Sequence, residues 1–254
     1  SEECLEVIPP STGKTIGSCV ERVDARGKMT GALEYAADME MPRMLHIHLV
    51  RSKEVHAEIL KIDYEKALEM PGVETVNTSE DVPGEDRFGV YYHDQPVLAK
   101  GKIRFYGEPV VAIVAETLED AEEAEKGVEI TYKKLPVVSN IQEAIECKAV
   151  LHEDHPDNIV STTCVQKGNV EEGFKSSEII IEKDFSTQAV DHAYLETEAG
   201  ISYCDPDGTI VVKSCDQDIT HHRVLLAKIL GMPINKVRVI MSPVGGGFGG
   251  KEDM

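Results

Sequence analysis

The chain has no tryptophan, five phenylalanines and eight tyrosines, and its 26 lysines and arginines face 46 acids, for a formal net charge of −20. A nucleic-acid surface needs clustered bases to displace counterions from phosphates, so this balance excludes one. Long apolar runs are missing too. None approaches the roughly 20 residues of a membrane-spanning helix, and the opening SEECLEVIPPSTGK has neither the basic nor the apolar region of a secretory signal. These absences predict a soluble, cytoplasmic protein with no nucleic-acid or membrane partner. Cysteine is sparse: Cys4, Cys19, Cys147, Cys164, Cys204 and Cys215 form no CxxC pair and no zinc-spaced His–Cys run. They read as reduced thiols, and an iron–sulfur cluster within the chain is not expected, because such clusters need closely spaced cysteines. Electrons, if the protein moves any, are carried onward by other polypeptides.

The 254 residues, 41% of them hydrophobic, suit one large or two modest domains. Residues 1–19, with Pro9 and Pro10, read as an extended arm. Leu45–Val50 and Ile59–Ile62 read as strands, Tyr64–Met70 as a short helix stopped by Pro71-Gly72, and Val73–Val76 as a strand, giving a β-α-β pattern. Pro109–Ala115 is a buried strand. Thr117 caps a helix with acids in its first turn, and Val128–Tyr132 alternates as a strand. A domain boundary falls near Pro136–Asn140, before an amphipathic helix at Ile141–Ile145. Beyond it we expect a helix at Asn169–Lys175, a long strand at Ser177–Thr187, a hairpin of Ala199–Tyr203 with Thr209–Lys213, a helix from Asp218 or Thr220 to Leu230, and a last strand at Lys236–Met241.

That last strand runs into Gly245-Gly246-Gly247-Phe248-Gly249-Gly250-Lys251-Glu252, five glycines within six residues. Glycine costs conformational entropy, so such density marks backbone that comes very close to something or takes dihedrals closed to other residues. The run satisfies G-x-G-x-x-G after a strand, yet a dinucleotide turn also needs a following helix and an acid on the next strand, for which residues 251–254 leave no room. A Walker loop fails as well, because Glu252 stands where Ser or Thr should reach magnesium. A glycine hairpin without a ligand is the bland alternative.

GGGFGGKE resembles the cofactor loop of the molybdenum hydroxylases, the xanthine dehydrogenase and aldehyde oxidase family. The likeness extends to Arg22-Val23-Asp24 with Gly27, Gly31 and Tyr35 to Asp38, which look like the family's opening strand. It continues through Arg51-Ser52, His56-Ala57, Asp94-Gln95-Pro96, Tyr106 to Val110 and His192-Ala193-Tyr194-Leu195-Glu196. It thus covers nearly everything from Val20 onward. The resemblance implies an α+β protein: an α/β hammerhead domain over 20–138, then the first part of a mixed α/β molybdenum-cofactor-binding domain over 139–254.

It also implies chemistry. Family members hold molybdenum on a pterin dithiolene and oxidise a C–H bond with water as the oxygen source. By resemblance Gln217 donates to a ligand of the metal, and Gly246, Gly247, Phe248 and Gly249 offer backbone N–H groups to the cofactor, so Gln217 and Phe248 approach the molybdenum through its ligands. Glu252 then orients a purine or related N-heterocycle. Cys215 reads as a core thiol, His221 and His222 as capping or partner contacts, and His192 and Glu196 as structural residues near the cofactor, able to share a helical face. Family subunits are much longer, and their general base lies outside anything present here. The resemblance therefore implies partners: the rest of the molybdenum subunit, iron–sulfur and FAD-bearing chains, and a small-molecule substrate. Alone, the chain is expected to be inactive. The alternative is a non-catalytic scaffold or assembly protein that keeps the hammerhead fold.

Overall fold

The computed structural model describes residues 20–252, so the arm expected over 1–19 lies outside the described residues. In chain order the elements are α1 (Ala25–Thr30), β1 (His46–Arg51), β2 (Ala57–Asp63), α2 (Glu65–Leu68), β3 (Val73–Asn77), β4 (Arg87–Phe88), β5 (Gln95–Pro96) and β6 (Lys102–Ile103). Then come β7 (Pro109–Ala115), α3 (Leu118–Ala124), β8 (Glu129–Lys134), α4 (Ile141–Ile145), α5 (Val170–Ser176), β9 (Gly200–Cys204), β10 (Ile210–Ser214), α6 (Ile219–Ile229) and β11 (Val237–Met241). No described helix is long and apolar enough to cross a membrane.

Helix starts follow their capping chemistry. Side-chain oxygens of Thr117, Asn140, Asn169 and Asp218 accept from the N–H groups of Asp120, Glu143, Glu172 and His221, each filling one of the donors that a helix N-terminus leaves open.

The strands up to β8 form two three-stranded sheets. One has the order β1-β7-β3, with β7 antiparallel to both neighbours. The other has the order β6-β2-β8, also antiparallel. The expected β-α-β run therefore divides: β2 and β3, joined by α2, enter different sheets. Because β7 is central, its Val110, Val111, Ile113 and Ala115 are fully buried. They join Val50, Ala57, Ile103 and α3's Ala121 and Ala124 in one core, where the small alanines let the helix lie close to the sheet.

A second unit is built on the sheet β11-β10-β9, with β10 antiparallel to β9 in the expected hairpin and parallel to β11. The parallel pair needs a crossover, which α6 supplies. The loop that holds β4 and β5 reaches across to α6: Phe88 packs with Leu225 and Ile229, and Glu85 N–H donates to Lys228 O at 3.0 Å.

Two expectations fail. The opening strand implied around Arg22 is not formed: Val23 is exposed in the turn that leads into the short helix α1, which Gly31 closes in the left-handed conformation. The long strand expected at Ser177–Thr187 is not formed, since these residues join no ladder. Alternation alone does not make a strand, whose hydrogen bonds are all to a neighbour.

Candidate functional site

The parallel register of β10 and β11 sends both strands out at one end of their sheet. After β10 come Cys215, Asp216 and Gln217, ahead of α6; after β11 comes the glycine loop. Topology thus brings Gln217 to residues 32 and 34 positions further on: its Oε1 accepts from Gly249 N–H at 3.1 Å and Lys251 N–H at 3.2 Å. Because the carbonyl oxygen is the atom engaged, the Gln217 amide NH2 group is left with no protein partner among the described residues.

The loop is close-packed from beneath. A Cβ on Gly247 would land on Gln217 Oε1, and Gly246 has φ +116°, so these positions need glycine for contact and for dihedral respectively. Phe248 has φ +56° and is 76% exposed. A bulky residue in the left-handed region costs of order 1–3 kcal/mol and persists only where its surroundings over-determine it.

The donors are unevenly used. Gly245 N–H donates to Glu196 Oε2 at 2.6 Å, Gly250 N–H to Gly247 O and Glu252 N–H to Gly249 O. The N–H groups of Gly246, Gly247 and Phe248 have no partner among the described residues. Of the amides expected to face a cofactor, Gly249's is thus taken by Gln217, while the other three are consecutive and free. Consecutive free backbone N–H groups form a concavity suited to anionic or strongly polar oxygen and sulfur atoms. With the Gln217 amide beside them they make a donor-only surface, which fits a ligand-bearing oxometal group better than it fits a cation.

Sequence reasoning missed what holds this loop in place. Lys251 is 1% exposed, and its ammonium lies 2.9 Å from Glu196 Oε2 and 4.8 Å from the Tyr194 ring centre. Glu196 Oε2 therefore joins both ends of the loop, Gly245 and Lys251. Burial alone would lower the Lys251 pKa, but its hydrogen bond to Glu196 and the nearness of Cys215 outweigh that, and the net shift is upward. On the far side, the buried His222 has Nδ1 3.1 Å from Asp216 Oδ2 and Nε2 2.8 Å from the Glu252 carbonyl oxygen, tying α6 to the loop's end. The signal for this clamp was a lysine set directly against glycines, a costly side chain to bury unless it is paired.

The remaining expectations divide. Cys215 is buried at 4% exposure. Asp218, not Thr220, caps α6, and His221 lies at the unit junction, its Nε2 3.4 Å from Gly89 O. Residues 192–196 are not helical, so His192 and Glu196 share no helical face. Glu252 is exposed, and its carboxylate has no protein partner among the described residues. Beneath the loop, a cavity of about 350 Å³ opens between sheet and helix, lined by Ala199, Val212, Cys215, Leu226 and Val239. Near it, Glu196 Oε1, Asp216 Oδ1 and Ser242 Oγ are buried without partners.

Comparison with known proteins yields two family matches: the hammerhead domain of aldehyde oxidase and xanthine dehydrogenase over residues 30–136, and the molybdopterin cofactor-binding domain over residues 151–254. The chain is 39% identical over 234 residues to a probable xanthine dehydrogenase subunit from Bacillus subtilis, covering 92% of this chain and 31% of that protein. It is 34% identical to the nicotinate dehydrogenase large molybdopterin subunit of Eubacterium barkeri, covering 95% of this chain and 56% of that one. Among solved structures, quinoline 2-oxidoreductase from Pseudomonas putida 86 matches with a TM-score of 0.82 and 31% identity, over 91% of this chain and 31% of that one. Aldehyde oxidoreductase from Desulfovibrio gigas matches with a TM-score of 0.83 and 28% identity, over 91% of this chain and 27% of that one. The chain thus spans about a quarter to just over a half of these relatives' lengths.

Proposed function

We propose, from the premise that the chain belongs to the xanthine dehydrogenase and aldehyde oxidase family of molybdenum hydroxylases, that its glycine loop and Gln217 receive the ligand-bearing end of a molybdenum–pterin cofactor. In this reading residues 20–138 are the hammerhead domain, residues 139–254 are an incomplete cofactor-binding domain, and residues 1–19 are an arm. The observation that carries it is the row of free N–H groups at Gly246, Gly247 and Phe248 beside the free Gln217 amide. A scaffold would have no use for donors left open at the cost of a strained Phe248.

Bound there, the cofactor supplies oxidation of a substrate C–H bond with water as the oxygen source. The chain's own residues hold and orient. The amides of Gly246, Gly247 and Phe248 and the Gln217 NH2 group donate to the cofactor's polar ligands, and donors fixed before the reaction stabilise developing charge without reorganising. Glu252, exposed at the loop's end, hydrogen-bonds a ring nitrogen of the substrate. Xanthine, nicotinate and quinoline in three relatives' names are N-heterocycles, which supports that substrate class, while the aldehyde oxidoreductase names another, so the weight falls on Glu252. The general base, the iron–sulfur clusters and the FAD belong to the rest of the assembly.

Metal and pterin analysis of the complete assembly tests the cofactor: molybdenum is expected, and another metal or none refutes it. For Glu252→Gln we expect about 1.5–3 kcal/mol less transition-state stabilisation on a purine, with normal metal content. A simple aromatic aldehyde is the control. Equal losses on both substrates would show that Glu252 supports the fold or cofactor instead.

A further inference from the structure

The exposed Glu252 carboxylate is held by no protein group among the described residues, so its direction is set by its backbone. One backbone bond there is long: Glu252 N–H donates to Gly249 O at 3.3 Å. The shorter one is at the Glu252 carbonyl oxygen, which accepts from His222 Nε2 at 2.8 Å.

His222 is itself firmly aimed. It is the fourth residue of α6, and helical side chains lean towards the N-terminus, which turns its ring back to the end of β10. There Asp216 Oδ2 lies 3.1 Å from Nδ1, and Ser214 Oγ donates to the same oxygen at 2.9 Å. His222 and Asp216 are both buried. A carbonyl oxygen only accepts, so Nε2 carries a hydrogen, and the carboxyl group at Nδ1 holds the ring in the orientation that delivers it.

Two consecutive residues after β10 thus hold two consecutive residues at the loop's end. Gln217 grips Lys251 from both sides: its N–H donates to Lys251 O at 2.9 Å, and its Oε1 accepts from Lys251 N–H. Asp216 grips Glu252 through His222. Replacing a buried charged pair by well-packed apolar side chains is often neutral for stability. What apolar side chains cannot supply is a directed donor, and this one reaches the peptide that aims Glu252.

We infer that His222, oriented by Asp216, is a positioning residue that fixes the Glu252 peptide and so sets which substrates the Glu252 carboxylate can hold, while taking no part in the oxidation itself. This role rests on the reading of Glu252 as the substrate-binding carboxylate. It places the control of selectivity on two buried side chains that the substrate does not touch.

Steady-state kinetics of the complete assembly, on a purine and on a simple aromatic aldehyde, test this. His222→Leu should lower kcat/KM about tenfold on the purine, as for one directed hydrogen bond, and less than about twofold on the aldehyde, at normal molybdenum content. His222→Gln, whose amide can donate to the same carbonyl, should recover most of the purine activity. In a Glu252→Gln background His222→Leu should add less than about twofold, because it acts through Glu252. Where Glu252→Gln itself discriminates the two substrates, equal losses from His222→Leu, failure of the Gln rescue, or losses that multiply in the double variant would each overturn the inference. If His222→Leu does not fold, Asp216→Asn removes the group that orients the ring. It should affect the purine more than the aldehyde by a smaller factor, and equal changes would overturn the assignment.

Hydrogen exchange in the same assembly reads the peptide without substrate. The Glu252 amide should exchange roughly tenfold faster in His222→Leu, with Gly245 unchanged. Unchanged exchange at Glu252 would overturn the inference. Faster exchange there, together with equal Glu252→Gln losses on purine and aldehyde, supports the hold of His222 on the peptide and refutes the substrate reading of Glu252 instead.

Discussion

The first unit closes its own core and the second does not. In the first, β7 is sandwiched between β1 and β3, and Val110, Val111 and Ile113 are fully buried. In the second, a similar supply of isoleucine and phenylalanine at 179–185 faces outward, and the sheet lies over a cavity. The sequence is about as apolar in both. What differs is whether a paired strand lies within reach. Hydrophobic residues drive folding only when something exists to bury them against, so similar composition yields a closed core in one place and exposed side chains in another. The candidate site shares this character: its loop is fixed from beneath by Gln217, Glu196, Lys251 and His222, while its upper donors and Phe248 remain open.

The contrast can be broken first through stability. Ile113→Ala should cost about 4 kcal/mol in urea unfolding, the usual penalty for a cavity in a closed core. Ile181→Ala in the same chain should cost less than about 0.5 kcal/mol. Comparable losses would mean that residues 177–190 are already packed.

Next in size is the clamp under the loop. Lys251→Met strands the Glu196 carboxylate and should cost about 3 kcal/mol. The loss should be local, with faster amide exchange at residues 245–252 and none at β1 or β7. If the first unit loosens equally, the two units fold as one.

A subtler change separates holding from donating. Gln217→Glu keeps an oxygen to accept from Gly249 and Lys251 but removes the free NH2 donor. Loop exchange should stay near wild type, while turnover of the complete assembly falls about 10²–10³-fold, the usual consequence of losing one preorganised donor. Unchanged turnover would remove Gln217 from the cofactor's contacts.

The smallest effect is on pH. The folded-state pKa of Lys251 lies above its unfolded value of 10.5, so its contribution to the loop is fully present below 10.5 and is lost as pH rises through the folded value. Exchange-monitored loop stability, corrected for intrinsic rates, should fall only at the alkaline end and should lose that pH dependence in Lys251→Met.

Much of this was legible in the sequence because it is local. Thr117, Asn140, Asn169 and Asp218 announce their helices through a hydrogen bond spanning three residues. The hairpin of β9 and β10 follows from Asp205-Pro206-Asp207-Gly208 between two alternating runs. The glycine loop and Gln217 were visible as residue types whose spacing resembles a known family. The Glu196–Lys251 pair was not, since 55 residues separate its members and only the fold makes them neighbours. The strand expected at 177–187 failed for a related reason: the apolar run at 179–181 finds no neighbouring strand to pair with among the described residues.

The sequence by itself determined where helices begin, which residues alternate, and where the backbone must be glycine, since capping, side-chain period and dihedral freedom are properties of a few consecutive residues. Tertiary structure alone decided that Gln217 spends its oxygen on Gly249 and Lys251, that three loop N–H groups remain free while Gly249's is occupied, and that a lysine beside glycines is a buried anchor. Each of these depends on which distant group arrives first to satisfy a donor or a charge. That allocation is made by the parallel register of β10 and β11, a long-range pairing that no short stretch of sequence encodes.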